Sequence, residues 1–144
     1  LFSKKVDAVI GAFRNFELNQ MNIVGQPGTA FYPEENGVPH YEELIYIINK
    51  NDKGKKIYKD FLDAVQKATI FIINNPKKSW ELFHKYKKGL NDELNKRAFK
   101  DTIPRFSIRP RAIDKSSYKN FQKFLFKKGI ISKLHDIDLF LNDD

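Results

Sequence analysis

Two stretches of this chain read as β-strand, and two strands do not make a stable sheet by themselves. The first is residues 6–13, where Val6, Ala8, Val9, Ile10, Ala12 and Phe13 form a short apolar run broken by Gly11. The second is residues 43–48, where Leu44, Ile45, Tyr46, Ile47 and Ile48 follow one another. Their length and β-branched content favour buried strands over helix. Such strands need a partner, either further sequence or a second copy of the chain. The chain opens on Leu1 rather than Met, and with its strands unpartnered it is expected to be a fragment of a longer protein.

The segments around the two runs read differently. After Phe13, Asn15 is expected to cap a helix through Phe16 and Met21, with Gly25 as its stop. Residues 26–42 hold Pro27, Pro33, Pro39, Gly28 and Gly37, which is too punctuated for a helix and reads as a crossover with an Asn36-Gly37 turn. Beyond residue 55 the pattern is helical. Ile57, Phe61, Val65, Ala68 and Ile72 recur at spacings of four and three. Asn75 is expected to cap the next helix with Pro76 in its first position, and Trp80, Phe83 and Tyr86 as its apolar anchors. A third helix should start at Asn91 and end near Thr102, ahead of Pro104. Asp114 should cap a fourth, with Tyr118, Phe121 and Leu125 inward and Gly129 as its stop. Residues 137–141 form a short apolar turn or strand.

Composition removes several classes of function. A chain of 144 residues with 41% hydrophobic content can bury a core. It has no run approaching the ~20 apolar residues of a membrane helix, and residues 1–5 do not resemble a secretory signal. Cys is absent, which excludes disulfides, thiolate metal sites and Cys nucleophiles. There is no P-loop, no dinucleotide-binding glycine fingerprint, no HExxH zinc motif and no GxSxG elbow. His40, His84 and His135 are too dispersed to suggest metal ligation, so no catalytic residue, metal or cofactor is expected. The net charge of +8 fits either an anionic partner or a solvated basic surface. Lysine pairs such as Lys77-Lys78 and the stretch 105–111 interleave with aromatics. Those aromatics fall at core spacing, which leaves them unavailable to stack on bases, so nucleic acid is not an expected partner.

Phe13-Arg14-Asn15-Phe16-Glu17 stands apart, because it lies where a strand ends and a helix begins. Ligands of open α/β sheets bind beyond the carboxyl ends of strands. Glu17 fits two roles there: it can complement the helix dipole, worth ~0.3–1 kcal/mol, or accept hydrogen bonds from an amino group on a ligand.

Residues 7–17 (DAVIGAFRNFE), 31–39 (FYPEENGVP) and 41–45 (YEELI) closely resemble the substrate-binding proteins of ABC importers for thiamine pyrimidine precursors, of the hydroxymethylpyrimidine or formylaminopyrimidine type. Phe61 to Val65, Asn75-Pro76 with Ser79-Trp80, and residues 91–106 are similar as well. The resemblance implies an α/β fold, the C-terminal part of a type II periplasmic-binding-protein fold that is mostly helical after residue 55. Residues 1–25 would be the last strand and helix of the second lobe, 26–42 the crossover or hinge, and 43–144 the C-terminal part of the first lobe. It also implies a non-enzymatic, periplasmic or extracytoplasmic, membrane-associated protein that captures a pyrimidine and delivers it to an ABC permease. Phe13, Asn15 and Glu17 would bind the ligand. Phe13 stands where such proteins often carry Tyr, so no phenolic hydrogen bond is available there. The alternative is an enzyme of the same fold, a thiamine pyrimidine synthase that consumes a histidine and a pyridoxal phosphate. No segment here matches its cofactor lysine or its Cys-containing motif. With half of its fold missing, the 144-residue chain is expected to self-associate.

Overall fold

The computed structural model describes residues 1–141, and the last three residues of the segment 43–144 lie outside it. The described residues form five α-helices: α1 (Glu17–Ile23), α2 (Lys56–Asn74), α3 (Pro76–Tyr86), α4 (Glu93–Thr102) and α5 (Lys115–Lys127). Short 3-10 turns occur at Pro33–Asn36, Lys50–Asp52, Ile103–Arg105 and Ile137–Leu139. The segment expected as a final turn or strand is thus a turn, and Ile137 is buried within it.

No strand is present among the described residues, so this stretch of chain is helical and does not itself confirm the α/β expectation. Residues 6–13 and 43–48 are irregular, and Leu44 and Ile47 are each 84% exposed. The cause is the one that made the pattern informative. A strand exists by virtue of the ladder it shares with a neighbour, and no neighbouring strand lies within these residues.

Helix ends follow local chemistry more faithfully. Gly25 and Gly129 both adopt positive φ (71° and 69°), as their positions after α1 and α5 require. Gly25 N donates to Asn22 O and Gln26 N to Met21 O (2.9 Å), and Gly129 N donates to Phe126 O and Ile130 N to Leu125 O (2.9 Å). Each pair is a Schellman closure, which satisfies the last carbonyls of its helix. Asp114 caps α5 as expected, its carboxylate accepting from the backbone of Ser116 and Ser117. Asp92, one residue beyond the expected Asn91, caps α4 through Asn95 N (2.7 Å).

Two expected caps are corrected. Asn75 sits ahead of α3, but its side chain donates backward to Phe71 O (3.1 Å) in α2, so it closes the helix behind it. Asn15 does not cap α1. Phe16 occupies that position with no side-chain cap, and Asn15, one residue ahead of it, donates its amide to Thr102 Oγ1.

The chain packs as two units. The first joins Leu1–Ala30 with Gln66–Ile108, and the second joins Phe31–Val65 with Arg109 onward. This division concerns packing within the 144 residues and is a different division from the one expected at 25 and 42. In the first unit α4 packs against α1 and α3. Ala98 of α4 is 8% exposed, and Trp80, Phe83 and Phe99 pack their rings at 5.3–5.9 Å. In the second unit Tyr41 stacks on Phe121 at 4.5 Å and Tyr46 meets Phe61 edge-on at 5.0 Å. Apolar burial is thin: Ala98 and Ile137 are the buried apolar residues among the described residues, and neither is wholly shielded. Phe61 and Phe83, expected inward, remain partly exposed, because too few apolar neighbours cover them.

Both capping carboxyls are held below the usual aspartate range. For Asp92 the chief cause is the Asn95 backbone N–H and then its side chain. For Asp114 it is the Ser116 hydroxyl and then the Ser117 backbone N–H. A depressed folded value places the stabilisation above the unfolded pKa of about 3.9 and removes it as pH falls through the folded value. Helicity followed by circular dichroism should therefore drop on acidification below about pH 4. The double variant Asp92→Asn, Asp114→Asn keeps cap acceptors without the titration, so its acid response should be flatter. An identical acid profile in the variant would show that the caps do not contribute.

Candidate functional site

The turn at residues 13–17 closes on itself from both directions. Phe13 O accepts from Phe16 N and Glu17 N (3.0 Å each). In return the Glu17 carboxylate, through Oε2, accepts from Phe13 N at 2.7 Å. The backbone and side chain of Glu17 thus grip the same residue, which fixes the carboxylate in the first turn of α1. A carboxylate offers two oxygens and about four lone-pair sites, so this bond does not exhaust its accepting capacity. The Phe13 ring is 48% exposed.

Two side chains reach from the α1 region to the end of α4. Asn15 Nδ2 donates to Thr102 Oγ1 (2.7 Å), and Thr102 Oγ1 donates on to Ala98 O (2.7 Å). Asn19 Nδ2 donates to Asp101 Oδ2 (2.7 Å) and to Asn15 O (3.0 Å). Phe13, Asn15 and Glu17 are therefore brought together in one turn, with Asn15 turned onto α4. Asp101 and Thr102 were not singled out from sequence. Their positions ahead of Pro104 mark a helix end, but nothing local names a partner more than 80 residues away.

The other candidates have structural employment. Arg111 pairs with Asp63 (2.8 Å) and donates to Lys59 O (2.6 Å), and Arg105 donates to Asp101 O. Two arginines of the 105–111 stretch thus serve their own chain. His84 lies against Trp80 at 5.3 Å and the His135 ring against Phe140 at 6.0 Å, while His40 O accepts from Ser117 Oγ (2.9 Å). Among the described residues no group of His, Cys, Asp or Glu is arranged to hold a metal, and no helix is long and apolar enough to cross a membrane. A small cleft of about 90 Å³ in the second unit is lined by Tyr41, Glu42, Ser117, Tyr118 and Phe121. Burial, and then the Glu42 charge, push the Tyr118 phenol up. Tyr41 and Phe121 occupy each other's faces there.

Comparison with known proteins gives a consistent picture. Residues 1–79, which include the whole 13–17 turn, match the family described as NMT1/THI5 like. The chain is 46% identical over 134 residues to a protein of Haemophilus influenzae named for thiamine biosynthesis, covering 92% of this chain and 43% of that one. It is 30% identical over 78 residues to the formylaminopyrimidine-binding protein of Halalkalibacterium halodurans, covering 53% of this chain and 24% of that one. The chain thus spans less than half the length of these curated relatives. No solved structure matches it. These matches agree with the resemblance carried by residues 7–45.

Proposed function

The chain belongs to the NMT1/THI5-like family, whose fold is that of the periplasmic binding proteins, and on that footing we propose that it is part of a solute-binding protein for an aminopyrimidine precursor of thiamine. The observation that carries this reading is the Glu17 carboxylate, anchored by Phe13 N–H in the same turn as an exposed aromatic ring. An aminopyrimidine presents an aromatic face and an exocyclic amino donor. Phe13 suits the face, and Glu17 suits the amino group through a charge-assisted hydrogen bond. The similarity to a formylaminopyrimidine-binding protein supports the ligand class.

Binding is reversible and involves no covalent step. In the complete protein two lobes close over the pyrimidine outside the cytoplasm, and the loaded form delivers it to an ABC permease in the membrane. Residues 6–13 and 43–48 become strands once the rest of the sheet is present.

Calorimetric titration of the intact protein tests this. An aminopyrimidine should bind saturably, and its analogue lacking the amino group should bind roughly tenfold or more weakly, as the loss of one hydrogen bond to a charged group requires. Equal affinity for the two would remove Glu17 from the site. Steady release of a new pyrimidine from histidine and pyridoxal phosphate would establish the synthase reading instead.

A further inference from the structure

Resting on that reading, we propose that Asp101 and Thr102 are positioning residues for the pyrimidine site, which aim Glu17 by holding α1 against the end of α4. The helix α1 has seven residues, and none of them is buried. Isolated helices shorter than ~12–15 residues are marginal in water, and its apolar side chains Leu18 and Met21 are only half-buried, so neither intrinsic helicity nor a buried apolar face fixes its direction. Two polar ties do so instead. The Asn19 amide spends both hydrogens, one on Asn15 O and one on Asp101 Oδ2. Asn15 Nδ2 donates to Thr102 Oγ1, whose own hydrogen goes to Ala98 O within α4. A threonine hydroxyl has one donor and two acceptor sites, so Thr102 accepts from the binding turn while its hydrogen stays on its own helix.

The spacing gives the ties a direction. Asn15 lies in the turn ahead of α1 and Asn19 lies within it, and both side chains reach the end of α4. Within α1, Glu17 lies two residues before Asn19, which places it across the axis, about 200° away. Helix α4 therefore holds α1 on the side away from Glu17, which is half-buried. A shift of α1 would carry Glu17 with it, because the carboxylate is bound to Phe13 N–H in the same turn.

The test measures aminopyrimidine affinity in the intact protein carrying Thr102→Val or Asp101→Ala, each also combined with Glu17→Gln. Each single variant should weaken binding roughly three- to tenfold, the range for losing one hydrogen bond. Thr102→Ser and Asp101→Asn keep an acceptor and should restore affinity. In the Glu17→Gln background the additional loss should vanish, since positioning acts only through the group being positioned. A merely structural weakening would persist there, and that result would overturn the inference. Glu17→Gln without effect would defeat the pyrimidine reading itself, whereas Glu17→Gln effective with Thr102→Val and Asp101→Ala both silent would defeat only the positioning role. Circular dichroism accompanies each variant. If one fails to fold, the other carries the comparison, and loss of helix in both would show that the ties hold the fold rather than aim the turn.

Discussion

Glu17→Gln should weaken aminopyrimidine binding by the intact protein roughly ten- to hundredfold. A hydrogen bond to a charged group contributes about 1.5–3 kcal/mol, and the substitution removes the charge. It also replaces one acceptor oxygen by an amide N–H₂, which faces the ligand's amino group donor to donor. The turn itself should survive. The Gln carbonyl can still accept from Phe13 N–H, the bond that Glu17 Oε2 makes at 2.7 Å, and Phe13 O still receives the N–H of residues 16 and 17. Unchanged circular dichroism with a reduced calorimetric affinity is the expected pair of results. If affinity is unchanged, Glu17 serves only its own turn.

The second large effect concerns the 144 residues as a free chain. They should self-associate at micromolar concentration and scatter light as a species heavier than 16.9 kDa. Leu44, Ile45, Tyr46 and Ile47 are consecutive and all exposed, and a large apolar side chain left in water forfeits about 1.5–3 kcal/mol of burial. Their backbone carries unpaired donors and acceptors as well, an invitation to pair with another chain. Leu44→Lys with Ile47→Lys should reduce the association by placing charge on that segment. A compact, non-associating 16.9 kDa species would show that these side chains find cover without a partner.

These expectations also mark what was legible in the sequence. Gly25, Gly129, Asp114 and Pro76 all stand where the sequence placed them, because a helix end is decided by residues within one turn of it. The expected strands do not form among the described residues because pairing is decided elsewhere: residues 6–13 and 43–48 carry the composition of a sheet but not its other members. Asn15 shows the same limit at a single residue. Its type suits a cap, yet it stands one residue ahead of the cap position and donates its amide to Thr102, 87 positions away. Asn75 stands at the cap position of α3, yet its amide donates backward to Phe71 O and its side chain accepts nothing from α3. The candidate site divides likewise. The 13–17 turn is local and could be read, whereas its tether to Asp101 and Thr102 has no periodicity to betray it.

The placement of Trp80 makes the two packing units optically separable. It is the only tryptophan, and it lies in the first unit among Phe83, His84 and Phe99. Tyr32, Tyr41, Tyr46, Tyr58 and Tyr118 all belong to the second, leaving Tyr86 alone with Trp80 in the first. Excitation at the red edge, where tyrosine no longer absorbs, therefore reports on the half that carries the 13–17 turn and is blind to the environment of the other. In a denaturant titration, tryptophan emission and tyrosine-band circular dichroism would trace the two halves as separate signals. Their coincidence or separation measures directly whether the halves melt as one cooperative body.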